Sequence, residues 1–403
     1  MKKVFLVMIA AASFVTGWSQ TDADIADPKG AKLRQEAANK KKEEDKKNAP
    51  NTFTVEKSLP VTSVKNQAMT GTCWCFSTTS LVESQCLKNN LGEFDLSEMF
   101  SVRNIYVEKA RNYVLRQGHA QFGEGGLGHD LIRAIATYGA VPEDVYSGLK
   151  AGQQLHNHVK LQENLKKYLD SIMGIKPLPE NWIAGYNNIL DTTLGVLPEK
   201  FTYKAKTYTP KTFAAEVLHF NANDYVNITS FTHHNFYEPF ILEVPDNFSN
   251  GAYYNVPLSE LIQLTKDAIN KGYTVLWDAD VSNDGFQQRL GSAVNLDNLP
   301  ATGFKTKMSI VNGDVKEGKA DAEKRQALFE NLTTQDDHLM HITGLTKSKT
   351  GNEFFVVKNS WGDIGPDHGF INVSESYFAI NTISLVVPKA ALSKSLQEKL
   401  KIR

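Results

Sequence analysis

Asn66-Gln67-Ala68-Met69-Thr70-Gly71-Thr72-Cys73-Trp74-Cys75-Phe76-Ser77 governs the reading of the whole chain. Gly71 and Thr72 supply a turn and a helix cap. Phe76, Leu81, Val82 and Cys86 then recur at helical spacing, which predicts an amphipathic helix through about Asn89. Cys73 therefore stands at a helix N-terminus, where unpaired N–H groups and the positive end of the macrodipole favour a thiolate. Gln67, six residues upstream, can fold back across the turn and offer its side-chain amide to an oxyanion beside the sulfur.

A base for such a thiol is found far downstream. Asp337-His338-Leu339-Met340-His341-Ile342-Thr343-Gly344-Leu345 reads as a strand beginning at a histidine. Glu353-Phe354-Phe355-Val356-Val357-Lys358-Asn359-Ser360-Trp361-Gly362 reads as an apolar strand ending in a polar turn. Thr346 to Asn352, with Gly351-Asn352, is a hairpin connection. Strands joined this way can set His338 beside Asn359. The amide oxygen then accepts from one imidazole N–H, fixes the tautomer and aims the other nitrogen at the sulfur. Trp361 would shield that bond. His341 lies three positions on, on the opposite face of the strand, and is expected to pack or hydrogen-bond rather than react.

The first stretch resembles the nucleophile segment of papain-like cysteine peptidases, with Gln67, Gly71, Cys73, Trp74, Phe76 and Ser77 in the places of that pattern. The order Cys, His, Asn and the phrases Asp337-His338 and Asn359-Ser360-Trp361-Gly362 resemble the same family. The resemblance implies Cys73 as nucleophile, His338 as general base, Asn359 as its orienting residue and Gln67 in the oxyanion hole. Thr70 stands where the family often has a disulfide-bonded cysteine, and Thr72 where Ser or Ala is usual. Gly125 and Gly126, within Gly123-Glu124-Gly125-Gly126-Leu127, resemble the glycine pair whose bare backbone pairs with the substrate peptide. With Trp361 they are the expected substrate contacts. Leu96-Ser97-Glu98 and Tyr138 to Glu143 resemble further phrases of the family.

The separation from Cys73 to His338 is 265 residues, by subtraction of the two positions, against about 130–150 in compact cathepsins. That length and the segment Phe231 to Pro245 resemble the bleomycin hydrolase and aminopeptidase C branch. The branch implies an α+β papain-like fold of two subdomains, a helical one and a β-barrel-like one, with a helical insertion at about 150–268 beside the cleft. It implies aminopeptidase activity on peptide substrates, no cofactor and a homo-oligomer, a hexameric ring. In the branch the terminal carboxylate holds the substrate's free amine. Here the tail, 393–403, reads as a short basic helix without the apolar, Pro-containing arm of the branch, so a papain-like endopeptidase with an open cleft is the alternative. A catalytically silent peptide-binding homologue is a third reading, opposed by the presence of all four catalytic residue types.

Composition sets the rest. The chain has 403 residues, is 41% hydrophobic and carries a formal charge of −1, so no electrostatic attraction to nucleic acid is implied. Its three cysteines are Cys73, Cys75 and Cys86. On one helix the last two lie about 16 Å apart, beyond disulfide reach, so three free thiols are expected. Residues 1–19 read as a signal peptide, with Lys2-Lys3, an apolar run to Val15 and Gly17-Trp18-Ser19, too short for a stable membrane anchor. Export, periplasmic or secreted, follows. Residues 20–50 are a charged linker too poor in large apolar residues to fold alone, and the peptidase domain is expected over 51–392. His156-x-His158 and His233-His234 lack ligand-spaced partners in the sequence, so no metal site is expected. Asp278-Ala279-Asp280 fails the calcium-loop pattern, with Asn283 at its sixth position.

Overall fold

The structure, a computed structural model, describes residues 53–296 and 315–402. The leader and the linker lie outside the described residues, and 53–402 belongs to a single compact unit. No described helix is long and apolar enough to cross a membrane.

In chain order, strand β1 (Phe53–Ser58) leads to helix α1 (Cys73–Lys88), α2 (Glu98–Leu115) and α3 (Gly128–Tyr138). Next come α4 (Val159–Met173), α5 (Trp182–Leu194), the hairpin β2 (Phe201–Tyr203) and β3 (Lys206–Tyr208), and α6 (Pro210–Glu216). Strands β4 (Tyr225–Thr229), β5 (Pro239–Ile241) and β6 (Ala252–Asn255) precede α7 (Leu258–Asn270) and β7 (Val275–Ala279). The short β8 (Phe286–Gln287) and β9 (Ser292–Ala293) and the helix α8 (Ala322–Glu330) lead to β10 (His338–Ser348), β11 (Glu353–Lys358) and β12 (Phe370–Ser374). The chain closes with α9 (Glu375–Asn381), β13 (Thr382–Pro388) and α10 (Lys394–Lys399).

Eleven strands form one sheet in the order β5-β6-β4-β13-β7-β10-β11-β12-β9-β8, with β1 also paired to β10. The expected barrel-like subdomain is thus, among the described residues, an open sheet. Strand β10 is long enough to serve two neighbours on one edge, β7 over His338–Ile342 and β1 over Gly344–Ser348, while β11 lies on the other edge. Alternation along β10 divides its side chains between two cores: Leu339 joins the core built on α1–α3, whereas Met340 and Ile342 join the one containing α7.

Two expectations change in this context. Helix α1 is not amphipathic. Residues from Cys73 through Ser84 are all buried, since helices and sheet enclose it together. Two of its hydroxyls are reconciled with that burial by bonding back along the helix, Ser77 to the Cys73 carbonyl and Thr78 to that of Trp74. The stretch 150–268 is not a helical body apart. Its helices α4 and α5 pack into the α1–α3 core, its strands β4, β5 and β6 extend the main sheet, and α7 sits under that sheet.

Ser97, as expected, caps α2 by accepting from the Phe100 N–H at 3.0 Å. The tail helix α10 docks on α7. Leu396 and Leu400 are buried there, and Lys399 pairs with Glu260 at 2.7 Å.

Candidate active site

The turn before α1 is held from both sides. Gln67 N–H donates to the Ser360 carbonyl at 2.8 Å and Gly362 N–H to Lys65 at 3.0 Å, which ties the turn to the loop after β11. Gly71 N–H donates to the Glu124 carboxylate at 2.8 Å. Thr72 occupies the N-cap position, but its hydroxyl makes no cap bond and meets the Thr70 hydroxyl at 2.6 Å instead. The turn therefore rests on neighbouring loops, and the first N–H groups of α1, at Cys73 and Trp74, lack intrahelical acceptors.

Five of the residues singled out from sequence converge here. Cys73 opens α1, and its sulfur meets the backbone of Leu339, the residue after His338. His338 opens β10, and its Nε2 lies 2.7 Å from Asn359 Oδ1. Trp361 stacks on the imidazole, ring centroids 4.7 Å apart, as a cover over that bond. The Gln67 amide is clamped. Its Nε2 donates to the Thr70 carbonyl at 2.8 Å and its Oε1 accepts from Ser360 Oγ at 2.6 Å, which leaves the second Nε2 hydrogen for a ligand.

Burial opposes the dipole at the sulfur. Desolvation pushes the Cys73 thiol up to about 12, with the carboxylates of Asp246, Asp278 and Asp336 pushing the same way and the Leu339 backbone opposing. Burial also draws the His338 imidazole down, against the Asn359 bond and Asp337, which raise it. Neither group alone favours its charged form. Proton transfer from sulfur to ring creates both charges together, each the counterion of the other.

Cys75 and Cys86 are also buried free thiols raised by burial, Cys86 to about 12. No His stands in the same relation to them among the described contacts. His341 Nδ1 lies 2.9 Å from Ser80 Oγ, which also accepts from Lys358 Nζ at 2.7 Å. It is a hydrogen-bonding residue under α1, on the face predicted for it.

The glycine pair differs from expectation. Gly126 lies against the Trp74 indole, where a Cβ would approach to 3.2 Å. Gly125 does not present a bare edge. Its carbonyl accepts from Lys109 Nζ, and a Cβ on it would collide with the Asp246 carboxylate.

The pair His233-His234 also differs. The fold brings Glu243 to it, 3.4 Å from His233 Nε2 and 2.8 Å from His234 Nε2, so a carboxylate partner exists that sequence spacing did not show. The His233 Nδ1 faces the Gln326 amide at 2.9 Å, and the two His–Glu contacts satisfy each other as hydrogen bonds.

Sequence reasoning missed Gln288, whose Oε1 accepts from Asn359 Nδ2 at 3.0 Å and so fixes which Asn359 atom faces His338. No motif surrounds it. It is buried, and its position follows only from the short 3₁₀ turn Gln288–Leu290. Gln288→Ala should lower kcat by about tenfold with little change in KM, because Asn359 is then free to rotate. A steady-state comparison with the wild type checks this, and Gln288→Glu should restore part of the loss.

The profile of the "Peptidase C1-like family" matches residues 119–403, and that of "Papain family cysteine protease" matches 49–108. Aminopeptidase G of Lactobacillus delbrueckii subsp. lactis is 24% identical over 393 residues, covering 84% of each chain. Aminopeptidase C of Listeria innocua is 26% identical over 380 residues, covering 83% of this chain and 82% of its own. The crystal structure of PepW from Lactobacillus rhamnosis superposes with a TM-score of 0.68 at 19% identity, covering 94% of this chain and 95% of its own, and shares the fold.

Proposed function

The chain belongs to the Peptidase C1-like family, and from that premise we propose that it is an exported cysteine aminopeptidase working through Cys73, His338 and Asn359. It is a cysteine-type peptidase by family, and its curated relatives include proteins named Aminopeptidase C, G and W. The observation that carries the mechanistic reading is the bond of 2.7 Å between His338 Nε2 and Asn359 Oδ1, with Cys73 set against the next residue of β10. Residues 1–19 support the exported site of action by their composition.

With Nε2 donating to Asn359, the other nitrogen, Nδ1, takes the Cys73 proton as sulfur attacks the substrate carbonyl carbon. The carbonyl oxygen gains the negative charge, and the Cys73 N–H and the free Gln67 hydrogen are the donors available to it. His338 returns the proton to the leaving amine as the C–N bond breaks. Water, deprotonated by the same ring, then releases the acyl group from sulfur.

Leucyl and arginyl coumarylamides with a free amine, each beside its N-acetyl form, test the reading. Cleavage confined to the free-amine members, and lost in Cys73→Ala, is expected. Equal cleavage of both members would mean an endopeptidase cleft.

A further inference from the structure

Three carboxylates converge on the nucleophile from separate parts of the chain. Asp278 lies on β7 directly across the ladder from Leu339, whose backbone meets the Cys73 sulfur. Asp336 stands two residues before His338 and accepts from the Asp246 N–H at 3.2 Å. Asp246 sits on Gly125, where its carboxylate fills the space a Cβ would need. All three act electrostatically on the Cys73 thiol.

Among the described residues none of the three makes a salt bridge, and Lys109, which offsets Asp246 at longer range, already donates to the Gly123 and Gly125 carbonyls. Asp278 is 1% exposed; Ser384 donates to its Oδ2 at 3.0 Å, while its Oδ1 is buried with no hydrogen-bond donor. A buried acceptor without a donor is costly to keep unless a ligand completes it. Burial and mutual repulsion raise Asp278 and Asp336, so a positive charge arriving beside them is favoured.

The array is also preorganised. Asn247 closes the turn that carries Asp246, donating to the Leu242 carbonyl at 2.8 Å and accepting from the Gly251 N–H at 2.7 Å. Ser249 pins the same turn to Asp130 of α3 at 2.7 Å. The tail, meanwhile, packs on α7 as far as Ile402, and none of its described contacts reaches these residues.

We propose that Asp246, Asp336 and Asp278 form the subsite that receives the substrate's α-ammonium, and that the Asp246 turn ends the cleft there, so that only the first residue of a peptide fits before the scissile bond. This deepens the aminopeptidase reading and rests on it. An ammonium seated there supplies the missing countercharge and the missing donors at once, whereas an acetylated amine brings neither and meets uncompensated carboxylates.

The test uses Asp246→Asn and Asp336→Asn in the full chain, with leucyl coumarylamide, its N-acetyl form and a leucyl-arginyl coumarylamide. Each variant should lose about 10- to 100-fold in kcat/KM on the free-amine substrate, mainly through KM, with no loss on the acetylated one. Asp246→Glu should keep part of the preference. Leucinamide should protect wild-type Cys73 from alkylation better than N-acetyl-leucinamide, and the two Asn variants should lose that difference. The protection assay needs no turnover, so it separates failure of this subsite from failure of the peptidase reading. Thermal melting confirms that each variant is folded. An unchanged free-amine preference in folded variants, or leucinamide protection equal to that of the acetyl form in the wild type, overturns the proposal. Faster release of the dipeptide than of the single residue overturns its one-residue length.

Discussion

Cys73→Ala should lower kcat/KM on a free-amine coumarylamide by at least about 10⁴-fold while the protein melts close to the wild-type temperature. The size follows from the proposed role as nucleophile, in which without sulfur there is no acyl-enzyme and only the oxyanion donors and substrate binding remain. The small effect on folding follows from the surroundings. The thiol is held by burial near three carboxylates that disfavour its ionisation, so its removal takes away no favourable charge. Alanine is also a better helix former than cysteine at the start of α1. Steady-state rates and a melting curve on the same preparation check both halves. A residual rate within about tenfold of the wild type would assign the nucleophile elsewhere.

His338→Ala has the second large effect, about 10³-fold or more in kcat, and it is best read through the chemistry of the thiol. Burial pushes the Cys73 thiol up, to about 12. With the ring present, sulfur can give up its proton to a base that becomes its counterion. Alkylation of Cys73 by iodoacetamide at neutral pH should therefore fall by at least about 10²-fold in His338→Ala. The sign with pH is set by burial, which raises the thiol. The thiol form therefore dominates at neutral pH in the variant, and its labelling rate should climb steadily with rising pH, without the neutral plateau of the wild type. A variant that labels at the wild-type rate at neutral pH would show that the ring does not accept the proton.

The centre of the site was legible in the sequence because its parts are local. The helix start at Cys73, the histidine opening β10 and the polar end of β11 each have their own pattern, and a hairpin brings His338 and Asn359 together at a fixed register. Even Ser360, quoted within its motif, could be noticed, although its bond to Gln67 could not.

The rest depends on contacts that no spacing encodes. Asp246, Asp278 and Asp336 come from a turn, a strand and a loop separated by tens of residues, and each alone is an unremarkable acid. Gln288 meets Asn359 only because a 3₁₀ turn places it there. Helix α1 looked half polar because its serines and threonines are normally surface residues, yet Ser77 and Thr78 bond to their own helix backbone, Ser80 bonds to His341, and the helix is enclosed by the sheet. Glu243 reaches the His233-His234 pair through the return of the chain at β5, a register that the run of aromatic residues does not announce.

The most direct measurement is the intact mass and peptide map of the wild-type protein after limited iodoacetamide treatment at neutral pH, with activity followed in parallel. One adduct on Cys73, with Cys75 and Cys86 unmodified and activity lost in proportion to the adduct, is the predicted result. Modification spread over the three thiols, or full activity retained with Cys73 blocked, would contradict it.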